Sequence, residues 1–408
     1  MHGDGIGMLD LLQLIVIVKR LFLSVKKYDD LLFIRVYLEY PAQVSVENAK
    51  AAFSRYAAFL EKDILPVSDG TLGSGKAIYG FYLRGLHSLD LSPGSAYGRA
   101  KKSFKTSLKE LKKEALTMDA ILAKEKGWKG VLEKLPKEHP SSSEVLKVFQ
   151  DEMDRAYQHF DEHKVVDFPR QRLLIKRMPN FMASVLPYVY YSPAFALDHI
   201  RISELFVLLP PDTATEEARE KSLALGFNYA QIELLTAYSI MPGIHLRNFK
   251  ASENQSRIRR ASRQPIVANG WACYAELLAE EMGFYSSYWS RFLRCYVRLL
   301  RSARAYADAA LHTKKWTPEK ASKFFQDQLF MSKAQADSEV VKLSMAPTEG
   351  FSYVYGLERI LDLRRSSQRA EKQAFDLRQF HSLFMKQGEI PIDSIEQEIL
   401  HPKTVKRK

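Results

Sequence analysis

The chain has 408 residues, 46% hydrophobic and 26% charged, which is enough apolar side chain for a large core and excludes an intrinsically disordered protein. Its two cysteines, Cys273 and Cys295, exclude a disulfide framework, and neither sits in a C-x-x-C pair of the redox or zinc-ribbon kind. The formal net charge of +12 keeps nucleic acid or another anionic partner in view.

Leu9 to Val18 is strongly apolar and is followed by Lys19-Arg20. A secretory signal carries its positive charge before the apolar run and a small-residue cleavage site after it, and a bilayer span needs about 20 apolar residues. This run has neither flank and is broken by Asp10 and Gln13, so a core or partner-facing helix is expected, with no transmembrane segment and a cytoplasmic location. Residues 1–44 are set apart as an apolar and basic helical segment. Residues 45–408 form a single, largely helical domain, with two lobes around a cleft as one arrangement.

Helical periodicity dominates the rest of the chain. Ala49, Phe53, Tyr56 and Leu60 recur at spacings of three and four, as do Leu108, Leu111, Ala115 and Met118. Pro66 to Gly75 is expected to be a loop, Ser92-Pro93-Gly94-Ser95 a helix start, and Pro136 to Ser143 a break before a helix from about Glu144 to Lys164. Phe181 to Phe206, with Pro187, Tyr188, Val189, Tyr190, Tyr191 and Pro193, is too rich in proline, aromatic and β-branched residues for a continuous helix, so a small β element is expected near 181–210. Helices return over Gln231 to Ile240, Gly270 to Gly283 and Tyr285 to Ala310. The fold class is mainly α, a large helical body with a small sheet.

Three basic clusters stand out. Lys101, Lys102, Lys105, Lys109, Lys112 and Lys113 lie at helical spacing among Phe104, Leu108 and Leu111, the pattern of a solvated helix face. Arg257, Arg259, Arg260 and Arg263 form the second, and Lys403, Lys406, Arg407 and Lys408 the third. None is interleaved with aromatic rings for base stacking, so nucleic acid is the less favoured partner and a protein or peptide the more favoured.

Two motif matches are tested before the main one. Gly70 to Lys76 fits G-x-x-x-x-G-K, but Ala77 follows where a magnesium-binding hydroxyl is needed, so a loop leading into a helix is expected. His159-Phe160-Asp161-Glu162-His163 fits H-x-x-E-H, which on a helix puts two imidazoles on one face, with a glutamate to activate a zinc-bound water. Charge surrounds that helix (Asp151, Glu152, Asp154, Arg155, Asp161, Glu162, Lys164), and no third ligand can be named, so a solvated helix with incidental histidines is preferred over a metal site.

The third pattern is Met241-Pro242-Gly243-Ile244-His245, followed by Asn269-Gly270-Trp271-Ala272-Cys273-Tyr274-Ala275-Glu276. With Ala77-Ile78-Tyr79, Leu311-His312, Trp316-Thr317, Ser352-Tyr353 and Phe375 to His381, it resembles the bacterial "domain of unknown function 885" family, a largely helical, zincin-like and metallopeptidase-like group. That family's hallmark is His-Glu-x-x-Pro-Gly-His-His-x-Gln followed by Glu-Gly-Trp-Ala-x-Tyr-Ala-Glu. The resemblance runs from about Ser45 to Leu400, and the family's N-terminal helices have no counterpart before it.

The departures fall on the chemistry. The resemblance implies a zinc histidine where Tyr238 stands, the water-polarising glutamate at Ser239, a second histidine at Ile244, a glutamine at Arg247 and a further ligand at Asn269. Only His245 is kept. A catalytic zinc needs about three protein ligands and an open position for water, which this set does not supply. The expectation is therefore an inactive, metallopeptidase-like binding or assembly scaffold without metal or cofactor, whose vestigial cleft includes Tyr238, Ser239, Pro242, Gly243, Ile244, His245, Asn269, Trp271, Tyr274, His312 and Tyr353. His312 and Tyr353 resemble family positions that would steady an oxyanion. Trp271, Tyr274 and Leu278 share one helical face and are expected in the core, while Glu276 and Glu280 share another and are expected to pair with arginines. Two alternatives stay open: a zinc hydrolase built on His159, Glu162 and His163 or around His245, and a basic RNA- or anion-binding protein.

Overall fold

The computed structural model describes residues 39–401 except 69, 167–171, 180, 181, 183–187, 195–201, 314 and 315. The apolar segments Leu9 to Val18 and Leu31 to Leu38, and the basic tail Lys403 to Lys408, lie outside the described residues. In chain order the helices are α1 (Glu39–Phe59), α2 (Gly75–Gly85), α3 (Pro93–Met118), α4 (Ala120–Glu133) and α5 (Val145–Glu162). Three strands come next, β1 (Leu173–Arg177), β2 (Val189–Ser192) and β3 (Ser203–Val207). Then come α6 (Glu216–Gly226), α7 (Tyr229–Ser239), α8 (Ile244–Ser252), α9 (Arg257–Ala261), α10 (Pro265–Glu281) and α11 (Tyr288–Thr313). The last five are α12 (Pro318–Leu329), α13 (Lys333–Met345), α14 (Glu349–Glu371), α15 (Leu377–Lys386) and α16 (Ile392–Leu400). The protein is mainly α with one small sheet.

Local chemistry sets many of the boundaries. Ser92 caps α3 by accepting the Ser95 amide, with Pro93 in the first turn, as the sequence pattern implies. Asn228, Thr317 and Ser332 cap α7, α12 and α13 in the same way. Along α3, Ala96, Ala100, Phe104, Ser107, Leu111 and Ala115 are buried, whereas the six lysines of the first basic cluster are exposed. That cluster is the outer face of an amphipathic helix.

The sheet has the order β1-β3-β2, with β1 parallel and β2 antiparallel to β3. The expected β element near 181–210 accounts for β2 and β3. It misses β1, since Leu173-Leu174-Ile175 is a short apolar run without the prolines and tyrosines that mark the other two.

Two hydrophobic clusters fill the molecule, and α11 runs between them. Ala303, Ala307 and Leu311 face the cluster made with α3, α4, α12 and α13. Ala305 and Ala309 face the one made with α5, α7, α10, α14, α15 and the sheet. Within the second cluster α10 and α14 touch backbone to backbone. A Cβ on Gly356 would lie 2.1 Å from the Ile266 carbonyl oxygen, and one on Gly270 would lie 2.5 Å from the Gly356 carbonyl carbon. Glycine at both positions brings the two helices close enough for Asn269 Nδ2 to donate to Ser352 Oγ at 2.7 Å.

Candidate functional site

The end of α7, the turn into α8, and α10, α11 and α14 bring the motif residues together. The turn contains a cis peptide between Met241 and Pro242. The Pro242 carbonyl accepts from the indole Nε1 of Trp271 at 3.0 Å, tying the turn to α10. Gly243 has no room for a side chain, because a Cβ would lie 1.9 Å from the Tyr238 carbonyl oxygen. Trp271 is fully buried and stacks on Phe384 at 5.4 Å. Tyr274 is buried too, its hydroxyl 2.8 Å from His381 Nε2 and accepting from Arg364 at 3.1 Å. With Leu278 these two residues form the core face of α10 that their spacing implies.

The centre of the arrangement is an ion pair. Arg301 of α11 reaches Glu276 of α10 with two nearly parallel bonds, Nη1 to Oε2 at 2.5 Å and Nη2 to Oε1 at 2.9 Å. Its guanidinium carbon lies 4.7 Å from the centre of the Tyr238 ring and 5.8 Å from that of Tyr353, so two aromatic faces flank the cation. Burial holds both tyrosine hydroxyls above the ordinary phenol range. Burial also pushes the nearby Cys273 thiol up to about 11, with Arg301 opposing that shift, so Cys273 is an unreactive thiol at neutral pH.

A cavity of about 1020 Å³ opens on this pair. Leu234, Leu293, Val297 and Leu300 line it together with Tyr238, Ser239, Glu276, Arg301, Arg304 and Tyr353, and Glu133, Lys137, His139, Glu220, Lys221 and Gln231 also line it, so its wall is part apolar and part charged. Of the residues assigned to the cleft from sequence, Tyr238, Ser239 and Tyr353 therefore line one cavity, and the others have different surroundings. His245 is buried against the sheet, with Nδ1 3.1 Å from the Tyr191 hydroxyl, which itself donates to Ser203. Burial lowers the His245 pKa to about 4, so the ring is neutral at pH 7. Ile244 packs into the core and Arg247 pairs with Glu389 at 2.8 Å.

His312 is not a cleft residue. It lies in a closed polar cluster: its Nδ1 accepts from the Ser74 amide at 2.9 Å, its Nε2 is 3.2 Å from the Leu343 carbonyl, and its ring stacks on Tyr79. Both ring nitrogens of this residue of the expected vestigial cleft face main-chain partners, Nδ1 the Ser74 amide and Nε2 the Leu343 carbonyl. The same contact explains the Gly70 to Lys76 match, a loop that binds α11 through Ser74 and leads into α2.

The H-x-x-E-H match is on α5, where the His159 and His163 rings stack at 4.2 Å while Glu162 is engaged elsewhere. His159 Nε2 is 3.0 Å from the Met282 carbonyl, His163 Nδ1 is 2.8 Å from the His159 carbonyl, and Glu162 accepts from Gln158. The donors at the main motif do not fit a catalytic zinc either. Ile244 has no donor atom, the Asn269 amide nitrogen is bound to Ser352, and both Glu276 oxygens are held by a guanidinium that would repel a second cation. Among the described residues, no group of three or more His, Cys, Asp and Glu side chains is placed to hold a metal ion.

Arg301 was not identified from sequence. Its signal is there: Arg291, Arg294, Arg298 and Arg301 recur at helical spacing along α11. Glu280 pairs with Arg291 at 3.2 Å and also with Arg294, so Glu276 and Glu280 both find arginines on α11 as expected.

The sequence profile described as "Bacterial protein of unknown function (DUF885)" matches residues 38–399. No curated protein matches the chain significantly. Two solved structures share the fold. One is described as a "putative lipoprotein of unknown function from Shewanella oneidensis", with TM-score 0.72 and 18% identity over 88% of this chain and 65% of that one. The other is described as a "putative lipoprotein from Colwellia psychrerythraea", with TM-score 0.75 and 19% identity over 94% of this chain and 66% of that one. The chain spans less than two thirds of either neighbour's length. Among the described residues, no helix is long and apolar enough to cross a membrane.

Proposed function

The chain belongs to the DUF885 family of bacterial proteins of unknown function, and on that footing we propose that it is a metallopeptidase-like binding protein that does not hydrolyse what it binds. The observation that carries this reading is the Arg301–Glu276 pair. It puts a fixed cation against Tyr238, the position that the family resemblance gives to a zinc histidine. A carboxylate held by two charge-assisted hydrogen bonds is a poor general base, and Ser239 cannot take over the role of the missing glutamate. What remains is a preformed cavity with apolar and charged walls, suited to the side chains of a peptide or of a protein segment.

The test is binding and cleavage of a fluorogenic peptide library by chelator-washed and by zinc-repleted protein. Binding without cleavage in both preparations is expected. Chelator-sensitive cleavage would overturn the reading and return the zinc hydrolase. The lipoprotein descriptions of the two neighbours favour a place in the cell envelope over the cytoplasm, and fractionation of cells expressing the chain tests it.

A further inference from the structure

The sheet ends in an open edge beside the cavity of the Arg301–Glu276 pair. In the order β1-β3-β2, strand β2 has β3 on one side and, among the described residues, no strand on the other. Its register pairs Val189 with Val207 and Tyr190 with Phe206, and the Leu208 amide donates to the Tyr188 carbonyl at 2.8 Å. In an antiparallel pair, residues that exchange hydrogen bonds alternate with residues that do not. Tyr188 and Tyr190 therefore turn their main-chain groups toward β3, and Val189 and Tyr191 turn theirs away from the sheet. Among the described residues, no turn or loop main chain bonds to Val189 or Tyr191.

Val189 is also a wall of the cavity, together with Tyr188 before it and with Leu225, Leu234 and Leu235 of α6 and α7. Tyr188 and Leu225 are exposed, so the cavity opens to solvent next to β2. A strand laid along Val189 and Tyr191 would set the side chain opposite Val189 beside Val189 itself, at the cavity wall. A second copy cannot fill the cavity through its own β2, because the side chains it would bring, Val189 and Tyr191, pack in its own core. The occupant must be a segment whose side chains are free.

We propose that β2 and the cavity bind an extended, unfolded polypeptide segment as a fourth strand, its main chain on Val189 and Tyr191 and one apolar side chain in the cavity. This deepens, and rests on, the reading of that cavity as a peptide site. Main-chain hydrogen bonds supply affinity without regard to sequence, and the cavity selects the one side chain that enters it.

Isothermal titration of the full chain with acetyl-Val-Leu-Val-Leu-amide and its four singly N-methylated forms tests this. Each methylation removes one N–H donor. A weakening of about threefold to tenfold is expected at two alternate positions and little change at the two between, in whichever register the peptide settles. Equal effects at all four positions, or at none, would overturn the added strand while leaving the cavity as a peptide site. Binding of none of the five would overturn both. Val189→Pro removes an outward N–H at a kind of strand position that accepts proline, and is expected to weaken the unmethylated peptide about tenfold. Val189→Ile, which keeps the N–H, is expected to bind as the unaltered protein does. Unchanged binding by Val189→Pro would overturn the placement on β2. The methylation scan uses the unaltered chain, so it stands whatever the proline does to folding.

Discussion

Written as sequence, the segment from Pro242 to Glu276 and the histidine pair of α5 each contain histidine and carboxylate, the first in a pattern whose other ligand positions hold different residues and the second at H-x-x-E-H spacing. In the fold they differ in what holds them. Glu276 of α10 pairs with Arg301 of α11, whose guanidinium lies against the rings of Tyr238 of α7 and Tyr353 of α14, so residues from four helices meet around one ion pair. His163 and Glu162 are exposed and bind only within their own helix, at His159 and Gln158. The first region is built around a buried ion pair. In the second, His159 packs against Met282 and Phe284 while Glu162 and His163 face solvent. Spacing along a helix places side chains on one face, but only packing from other elements makes them converge.

The strongest way to break this comparison is at Glu276. Replacing it with Gln leaves Arg301 charged and nearly buried without its partner, so a loss of about 3–5 kcal/mol is expected in urea unfolding. Replacing both members with apolar residues, Glu276→Leu with Arg301→Met, should recover most of that loss, since the pair's attraction is largely offset by desolvation. A loss below about 1 kcal/mol in the single variant would place this region with ordinary surface ion pairs.

The pH dependence sharpens the contrast further. Burial lowers His87, His245 and His381 each to about 4, against an ordinary 6.5. The unfolded chain then binds more protons than the folded one between about pH 4 and 6.5, so stability rises with pH across that window and is lost as pH falls through 4. Asp308 acts in the opposite sense. Burial raises its carboxyl from 3.8 to about 7, so its contribution is fully present below pH 3.8 and is lost as pH rises through 7. His245→Asn should flatten the rise of thermal stability between pH 4 and 6.5, and Asp308→Asn should steepen it. Parallel curves for the three proteins would contradict these assignments.

The smallest effect is expected on α5. The paired changes His159→Ala and His163→Ala remove one carbonyl contact to Met282 and an edge contact to Phe284, which amounts to about 1 kcal/mol or less. Zinc content per chain should equal that of the unaltered protein. Zinc bound by the unaltered protein and lost in this variant would make α5 the metal site.

Much of the fold was legible because it depends on local rules. The Ser92 cap, the break at Pro136 to Ser143, the helix of the histidine pair and the core face of Trp271, Tyr274 and Leu278 all follow from periodicity and capping chemistry. Strand β1 was not legible, since five residues starting Leu-Leu-Ile carry no signal distinguishing a strand from a buried helical turn. The Arg301–Glu276 pair at the candidate site was not legible in the sequence. Tyr238, Ser239, Ile244 and Asn269 announce themselves as substitutions in a known pattern, whereas Arg301 lies 25 residues beyond Glu276 and belongs to no motif.

By itself the sequence determined the helices, the turn glycines and the residue types available at the motif, because these are set within one or two turns of chain. Tertiary structure alone decided which of them meet. His312 went to a closed cluster with Ser74 and Tyr79, His245 to the sheet, and Arg301 to the place beside Tyr238. The physical reason is that burial is collective: a charge such as Glu276 can be buried only where another element delivers its counter-charge, and α11 does so through an arginine whose position depends on the packing of both hydrophobic clusters.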